Sequence, residues 1–178
     1  MDWLRDSLIP VYENGMKDLV REPWPARDEY IEVILDRSDR SLWEYFSRAA
    51  ARELSGEETV RALRLLEMQR YAQGMYTSCG WFFDEISGIE TVQVMKYAAR
   101  AIQLAREAGG GDLEDEYLDR LARAPSNIPF YATGAGVYRN LVRSGRIDLL
   151  RVAAHYAVSS LFENYPPETE IFSYRVSR

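Results

Sequence analysis

The sequence predicts an all-α fold, a compact bundle of about six or seven helices with a short strand-like tail at its C-terminal end. Three observations predict it: apolar residues recur at helical spacing, capping signals mark several helix starts, and only the last residues alternate with a period of two. A chain of 178 residues can bury one sizeable core without a disulfide or a metal ion. We therefore expect a single helical domain over residues 1–178.

The N-terminal third of the chain is divided by prolines. Pro10, Pro23 and Pro25 predict a short helix followed by a loop, after which residues 27–35 have a helical pattern. A further helix is expected from about Asp39. Its inward side should carry Leu42, Phe46, Ala49 and Leu54.

Two motifs predict the starts of the longest helices. The sequence SGEE at residues 55–58 is a capping box, in which a serine and a glutamate satisfy each other's backbone amides, and an apolar-rich run follows it to about Met75. The sequence SGIE at residues 87–90 carries the same signal. Three glycines at residues 109–111 are expected to end that second helix, because glycine tolerates left-handed backbone.

The segment after these glycines predicts a short charged helix. We expect Asp112 to cap it and the helix to end before Pro125. The acidic cluster of residues 114–116 comes early and the arginines come late, which complements the helix dipole and is typical of a solvated face.

Residues 136–143 lead into the last helical segment, which is rich in small residues and predicted to be central. Its apolar positions are Ile147, Leu150, Ala154, Ala157 and Leu161.

The end of the chain departs from the helical pattern. Phe172, Tyr174 and Val176 alternate with polar residues, a period that suits a half-buried strand. Such a strand could form a local hairpin, remain a tail, or pair with sequence beyond Arg178. Of these, we favour a fragment of a longer protein.

The composition excludes several classes of function. The formal net charge of −6 and the pI of about 5.0 oppose the phosphate neutralisation that nucleic-acid binding requires. There is neither a long apolar run nor a secretory signal, which predicts a cytoplasmic protein outside the membrane. Because Cys79 is the only cysteine and His155 the only histidine, we expect no disulfide within the chain, no Cys/His zinc site and no cofactor.

The segment of residues 76–85 is the candidate binding site. It places four aromatic rings and the carboxylates of Asp84 and Glu85 in a short connector between the two capped helices. Aromatic faces stack on the apolar face of a sugar ring and carboxylates accept bonds from its hydroxyls, so this mixture suits a polyol ligand. Gly80, beside Trp81, predicts unusual backbone dihedrals. The alternative is that the rings fill space between helices.

Four ordered blocks of sequence resemble an uncharacterised helical domain found after the catalytic barrels of family 57 glycoside hydrolase-like proteins. The blocks are EPWPARDEYI with VILDRS (residues 22–31 and 33–38), LEMQR (66–70), YTSCGWFFDE (76–85) and RVAAHYAVSSLF (151–162). The third is similar to a Ser-Asp-Trp-Pro-Phe signature that contributes to the cleft in that family. This block differs from the signature in three respects: it lacks the aspartate, Cys79-Gly80 is inserted, and Phe82 replaces the proline.

The resemblance implies a context. The catalytic carboxylates would lie on an upstream barrel of the same polypeptide, a glycoside hydrolase or glucanotransferase, and this helical domain would shape an α-glucan cleft beside it without being catalytic itself. The substrate-binding candidates are Ser78, Trp81, Phe83, Asp84, Glu85 and His155.

Other interpretations remain open. The chain could be a helical docking module with no ligand of its own. For His155, a satisfied, partly buried histidine is favoured over a ligand contact. A self-contained enzyme using Cys79 and His155 is the third alternative.

Overall fold

The computed structural model describes residues 1–145, 148–171 and 174–177. The chain forms two compact units, Met1–Ser144 and Gly145–Arg178. The helices of the first unit are α1 (Asp2–Met16), α2 (Pro23–Glu29), α3 (Ile31–Leu35), α4 (Asp39–Ala49), α5 (Gly56–Gly74), α6 (Ile89–Glu107), α7 (Glu114–Leu121) and α8 (Gly134–Val137). The second unit contains α9 (Leu149–Ser159) and the antiparallel strands β1 (Glu168–Ile171) and β2 (Tyr174–Ser177). The predicted all-α class is confirmed, and a single domain stays a prediction.

The two longest helices, α5 and α6, pack against each other and form the centre of the first unit. Leu65 and Leu66 of α5 and Ala98 of α6 are fully buried. Helix α1 packs on α5 at a close approach, since a Cβ added to Gly15 would lie 2.6 Å from Leu65 Cδ1. Burial of these apolar stripes supplies the main driving force for folding.

Helix α1 corrects the prediction made from Pro10. The helix continues through this proline to Met16 and does not end as a short element. An internal proline costs a helix about 3 kcal/mol because it removes a hydrogen bond. Here the stripe of Leu4, Leu8, Tyr12 and Met16 is completely buried, and that burial outweighs the cost.

One predicted helix start is confirmed in detail and the other only in position. Ser55 and Glu58 form the expected capping box, with Ser55 Oγ accepting from Glu58 N at 3.2 Å. The prediction of a second capping box is wrong, because the N-cap of α6 is Gly88 and no side chain makes a capping hydrogen bond there. The glycine stop is confirmed, since Gly109 has φ of +92° at the end of α6.

The charged helix α7 exists, but its acidic start is not wholly solvated. Asp112 does not occupy the N-cap position, which is Leu113, although its carboxylate accepts a bond from Glu114 N at 3.0 Å. Glu114 is only 6% exposed and accepts a bond from the buried Tyr138 hydroxyl at 3.2 Å. The prediction of a solvated face is therefore wrong for Glu114.

The second unit contains the predicted last helix and confirms the predicted terminal strand, β2. Helix α9 buries Val152, whereas Leu150 in the helix and Leu161 after it are 79% and 77% exposed, and the central position of this helix stays a prediction. The predicted terminal strand is one arm of a local hairpin, in which Ile171 pairs with Tyr174. The predicted positions Ile147 and Phe172 lie outside the described residues.

Within the described residues, the helices are too short or too polar to cross a membrane.

Candidate ligand-contact surface

The connector between α5 and α6, residues 75–88, exposes its aromatic side chains. It leaves α5 at Gly74, forms a 3-10 turn over Ser78–Trp81, and enters α6 at Ile89. Trp81, Phe82 and Phe83 are 63%, 76% and 63% exposed. The rings therefore do not fill the space between the helices, which was the alternative interpretation of this segment.

The backbone of the connector is nevertheless held closely against α6. A Cβ on Gly80 would lie 2.5 Å from Cγ2 of the buried Val94, so only glycine fits without movement. The Thr91 hydroxyl donates to the Gly80 carbonyl at 3.2 Å. The prediction of unusual dihedrals is wrong here, because Gly80 does not have a positive φ. The reason for the glycine is the close approach of its backbone to the Val94 side chain.

Glu85 holds the other end of the connector through three internal hydrogen bonds. Its carboxylate accepts from Ser87 N at 2.9 Å, from Ser126 Oγ at 2.8 Å and from Asn127 N at 2.7 Å. Desolvation opposes ionisation of this carboxyl, but these donors outweigh it and lower the pKa of Glu85 to about 2. The acid is therefore ionised at neutral pH and engaged with the protein itself.

Asp84 differs from its neighbour. Its side chain is exposed, and no donor within the described part of the chain binds its carboxylate. Of the two predicted hydroxyl acceptors, Asp84 is the one whose oxygens face solvent beside the rings. Ser78 and Cys79 are exposed in the 3-10 turn that ends at Trp81.

A second segment, the loop of residues 125–133, lies against the connector and was missed by the sequence reasoning. The two are joined by the Glu85 bonds and by Asn127 Nδ2, which donates to the Asp84 carbonyl at 3.4 Å. This loop exposes Ile128 by 41% and Phe130 by 76%. The signal available in the sequence was the run NIPFY, in which apolar and aromatic residues surround a proline outside any helical pattern.

The remaining candidate, His155, lies in the second unit on α9. It is exposed and not partly buried, and its carbonyl accepts a bond from Ser159 Oγ at 2.7 Å. The Cys79–His155 pair of the third alternative therefore involves exposed residues that belong to two different units.

Two hollows of the described part of the chain lie away from the connector. These hollows, of about 280 and 230 Å³, are lined by residues around Arg61 and around Arg48, respectively, and neither includes a connector residue. Among the residues that the structure describes, no group of three or more His, Cys, Asp and Glu side chains is arranged to hold a metal ion.

Comparison with known proteins gives a family but no activity. A family model described as "Domain of unknown function (DUF3536)" matches residues 1–178. No curated protein and no solved structure matches the chain. Because the match covers the whole sequence, the chain belongs to this family of domains of unknown function.

Proposed function

We propose that the chain is an accessory helical domain of a family 57 glycoside hydrolase-like protein and that its connector binds α-glucan beside a separate catalytic barrel. The observation that carries the proposal is the exposure of Trp81 and Phe83 on a backbone held at both ends, at Gly80 and Glu85. A sugar-binding surface requires exposed aromatic rings beside hydrogen-bond acceptors, and the free carboxylate of Asp84 is such an acceptor.

Each side chain has a distinct role in this proposal. Trp81 and Phe83 stack on the apolar face of glucose units, where their flat area is removed from water. Asp84 accepts hydrogen bonds from sugar hydroxyls, and Ser78 can donate or accept. Because the backbone is already fixed, little ordering entropy is lost on binding. The contact predicted for His155 stays a prediction.

The catalytic step belongs to another part of the polypeptide in this proposal. The resemblance assigns the nucleophile and the acid/base to a barrel upstream, in a cytoplasmic hydrolase or glucanotransferase. The helical domain contributes affinity and orientation of the glucan. Helices α5 and α6 act as a rigid mount, since their shared core fixes where the connector begins and ends.

A second candidate function is docking of the barrel or of another protein. It is favoured by Phe82 and Ile89, which are 76% and 79% exposed and extend the apolar area beyond the two proposed stacking rings. Exposed apolar patches of this kind mark contact sites between proteins.

Titration of the chain with maltoheptaose tests the glucan proposal. Amide and indole signals in NMR spectra detect weak binding, and we expect shifts at Trp81 and at residues 78–85. Trp81→Ala should abolish the shifts. Trp43→Ala is the matched control, because Trp43 is 71% exposed on α4, outside the connector. Absence of any shift in the unchanged chain would reject glucan binding and favour docking.

A further inference from the structure

We infer that the loop of residues 125–133 is the second half of the same glucan surface. In this inference Phe130 is a second stacking ring, Asn127 is a second polar contact, and Glu85 is the residue that positions the two halves. The inference rests on the proposed function. It lengthens the stretch of glucan that the surface contacts, because ring platforms on two segments cover more sugar units than the connector alone.

The loop is closed and tightly folded. Ser126 N donates to Ala132 O at 3.0 Å, and Gly134 N donates to Ala124 O at 2.9 Å, so both ends of the loop are joined. Ala132 has φ of +59°, a left-handed conformation that residues other than glycine seldom adopt. Strained backbone of this kind persists only where surrounding bonds impose it and is frequent at binding sites.

The loop is attached to the connector and not only near it. Each oxygen of Glu85 binds one loop group, the Ser126 hydroxyl and the Asn127 amide. At the far end of the loop, a Cβ on Gly134 would lie 2.9 Å from Cδ1 of Ile86, the residue after Glu85. The loop therefore contacts the connector at both of its ends, and its orientation is fixed relative to residues 84–86.

Phe130 lies only a few residues from the point where the loop is bonded to the connector. Asn127 Nδ2 donates to the Asp84 carbonyl, which brings the side-chain amide of Asn127 close to the residue with the exposed carboxylate. Phe130 follows three residues later, at most about 11 Å along the chain, and the bond from Tyr131 N to Ile128 O shortens that span. Its ring meets Tyr131 edge to face at 5.1 Å, while 76% of Phe130 stays exposed.

Comparing the binding of a short sugar with that of a long sugar tests this inference separately from the proposed function. We would titrate the 178-residue chain and its Trp81→Ala, Phe130→Ala, Glu85→Gln and Trp43→Ala variants with maltose and with maltoheptaose by NMR. Phe130→Ala should weaken maltoheptaose binding about tenfold, the value of one aromatic contact of about 1.4 kcal/mol, and leave maltose binding unchanged. Glu85→Gln should likewise reduce the preference for maltoheptaose over maltose. Hydrogen exchange of the backbone amides of residues 126–128 should become faster in this variant and in no other.

The outcomes separate the two claims. Loss of binding in Trp81→Ala with unchanged maltoheptaose affinity in Phe130→Ala would overturn the loop inference and leave the proposed function standing. Equal weakening of both sugars in Glu85→Gln would overturn its positioning role. If the unchanged chain binds neither sugar, the inference and the proposed function are both overturned.

Discussion

Large apolar side chains are buried in helices α5 and α6 but exposed in the connector that joins these two helices. Leu66 and Met95 of the two helices are 0% and 1% exposed, whereas Phe82 in the connector is 76% exposed. Hydrophobicity does not explain the difference. In a helix, the 3.6-residue period directs every third or fourth side chain to the same side, and two such sides bury each other.

The connector has no such period and is fixed instead by backbone contacts. Gly80 lies against Val94, and Glu85 binds a distant loop, so the chain between them cannot turn its rings inward without breaking these contacts. Exposed aromatic side chains on a fixed backbone are costly in water and useful for binding. The helices therefore use their apolar side chains for stability, whereas those of the connector stay exposed and carry the proposed contact.

The largest expected effect is on the helical side of the comparison. Leu66→Ala removes a fully buried side chain and should lower the free energy of unfolding by about 2–5 kcal/mol. Phe82→Ala, at an exposed position of the connector, should change it by less than about 0.5 kcal/mol. Urea unfolding followed by circular dichroism measures both. Similar losses for the two variants would show that the connector rings are part of the core.

A smaller effect is expected where the connector meets α6. Gly80→Ala forces a methyl group against Val94, a stiff side chain in a helix, and should cost about 1–3 kcal/mol. Gly56→Ala is the control, because an added Cβ there meets nothing within 4 Å at the start of α5. Thermal unfolding distinguishes them. An unchanged Tm for Gly80→Ala would mean that the connector is not held against α6.

The effect of Glu85 should depend on pH. The folded protein lowers the pKa of this carboxyl from 4.5 to about 2, so its ionised form stabilises the fold above about pH 4.5, and this contribution disappears as the pH falls toward 2. Glu85→Gln should thus be less stable than the unchanged chain at pH 7 and nearly equal to it near pH 2. The urea midpoints of the two proteins, measured from pH 7 to pH 2, test this prediction. A difference in midpoint that does not change with pH would exclude the ionised carboxylate as the cause.

The smallest effect on stability is expected at the proposed binding residue. Trp81→Ala and the control Trp43→Ala should each change the free energy of unfolding by less than about 0.5 kcal/mol, because both rings are mostly exposed. Only Trp81→Ala should affect sugar binding. A large loss of stability in Trp81→Ala would mean that this ring packs in the fold and is not held in solvent for a ligand.

Much of the helical framework was predictable because its signals are local. The capping box of Ser55 and Glu58 and the left-handed Gly109 depend on atoms a few residues apart, and both are present as expected. The prediction failed at Pro10, where burial of the α1 stripe outweighs the proline, and at Glu114, which becomes buried through the distant Tyr138. In both cases a tertiary contact prevails over a local preference.

The sequence by itself determined the helical class, the position of the connector and its unusual mixture of rings and acids. Tertiary structure alone decided that the rings are exposed, that the Asp84 carboxylate is free while Glu85 is engaged, and that the loop of residues 125–133 is bonded to the connector. The physical reason is sequence separation: the Glu85 partners, Ser126 and Asn127, are 41 and 42 residues away. Local patterns specify which hydrogen bonds a helix makes with itself, but a carboxylate's distant partners are set only when the chain has folded.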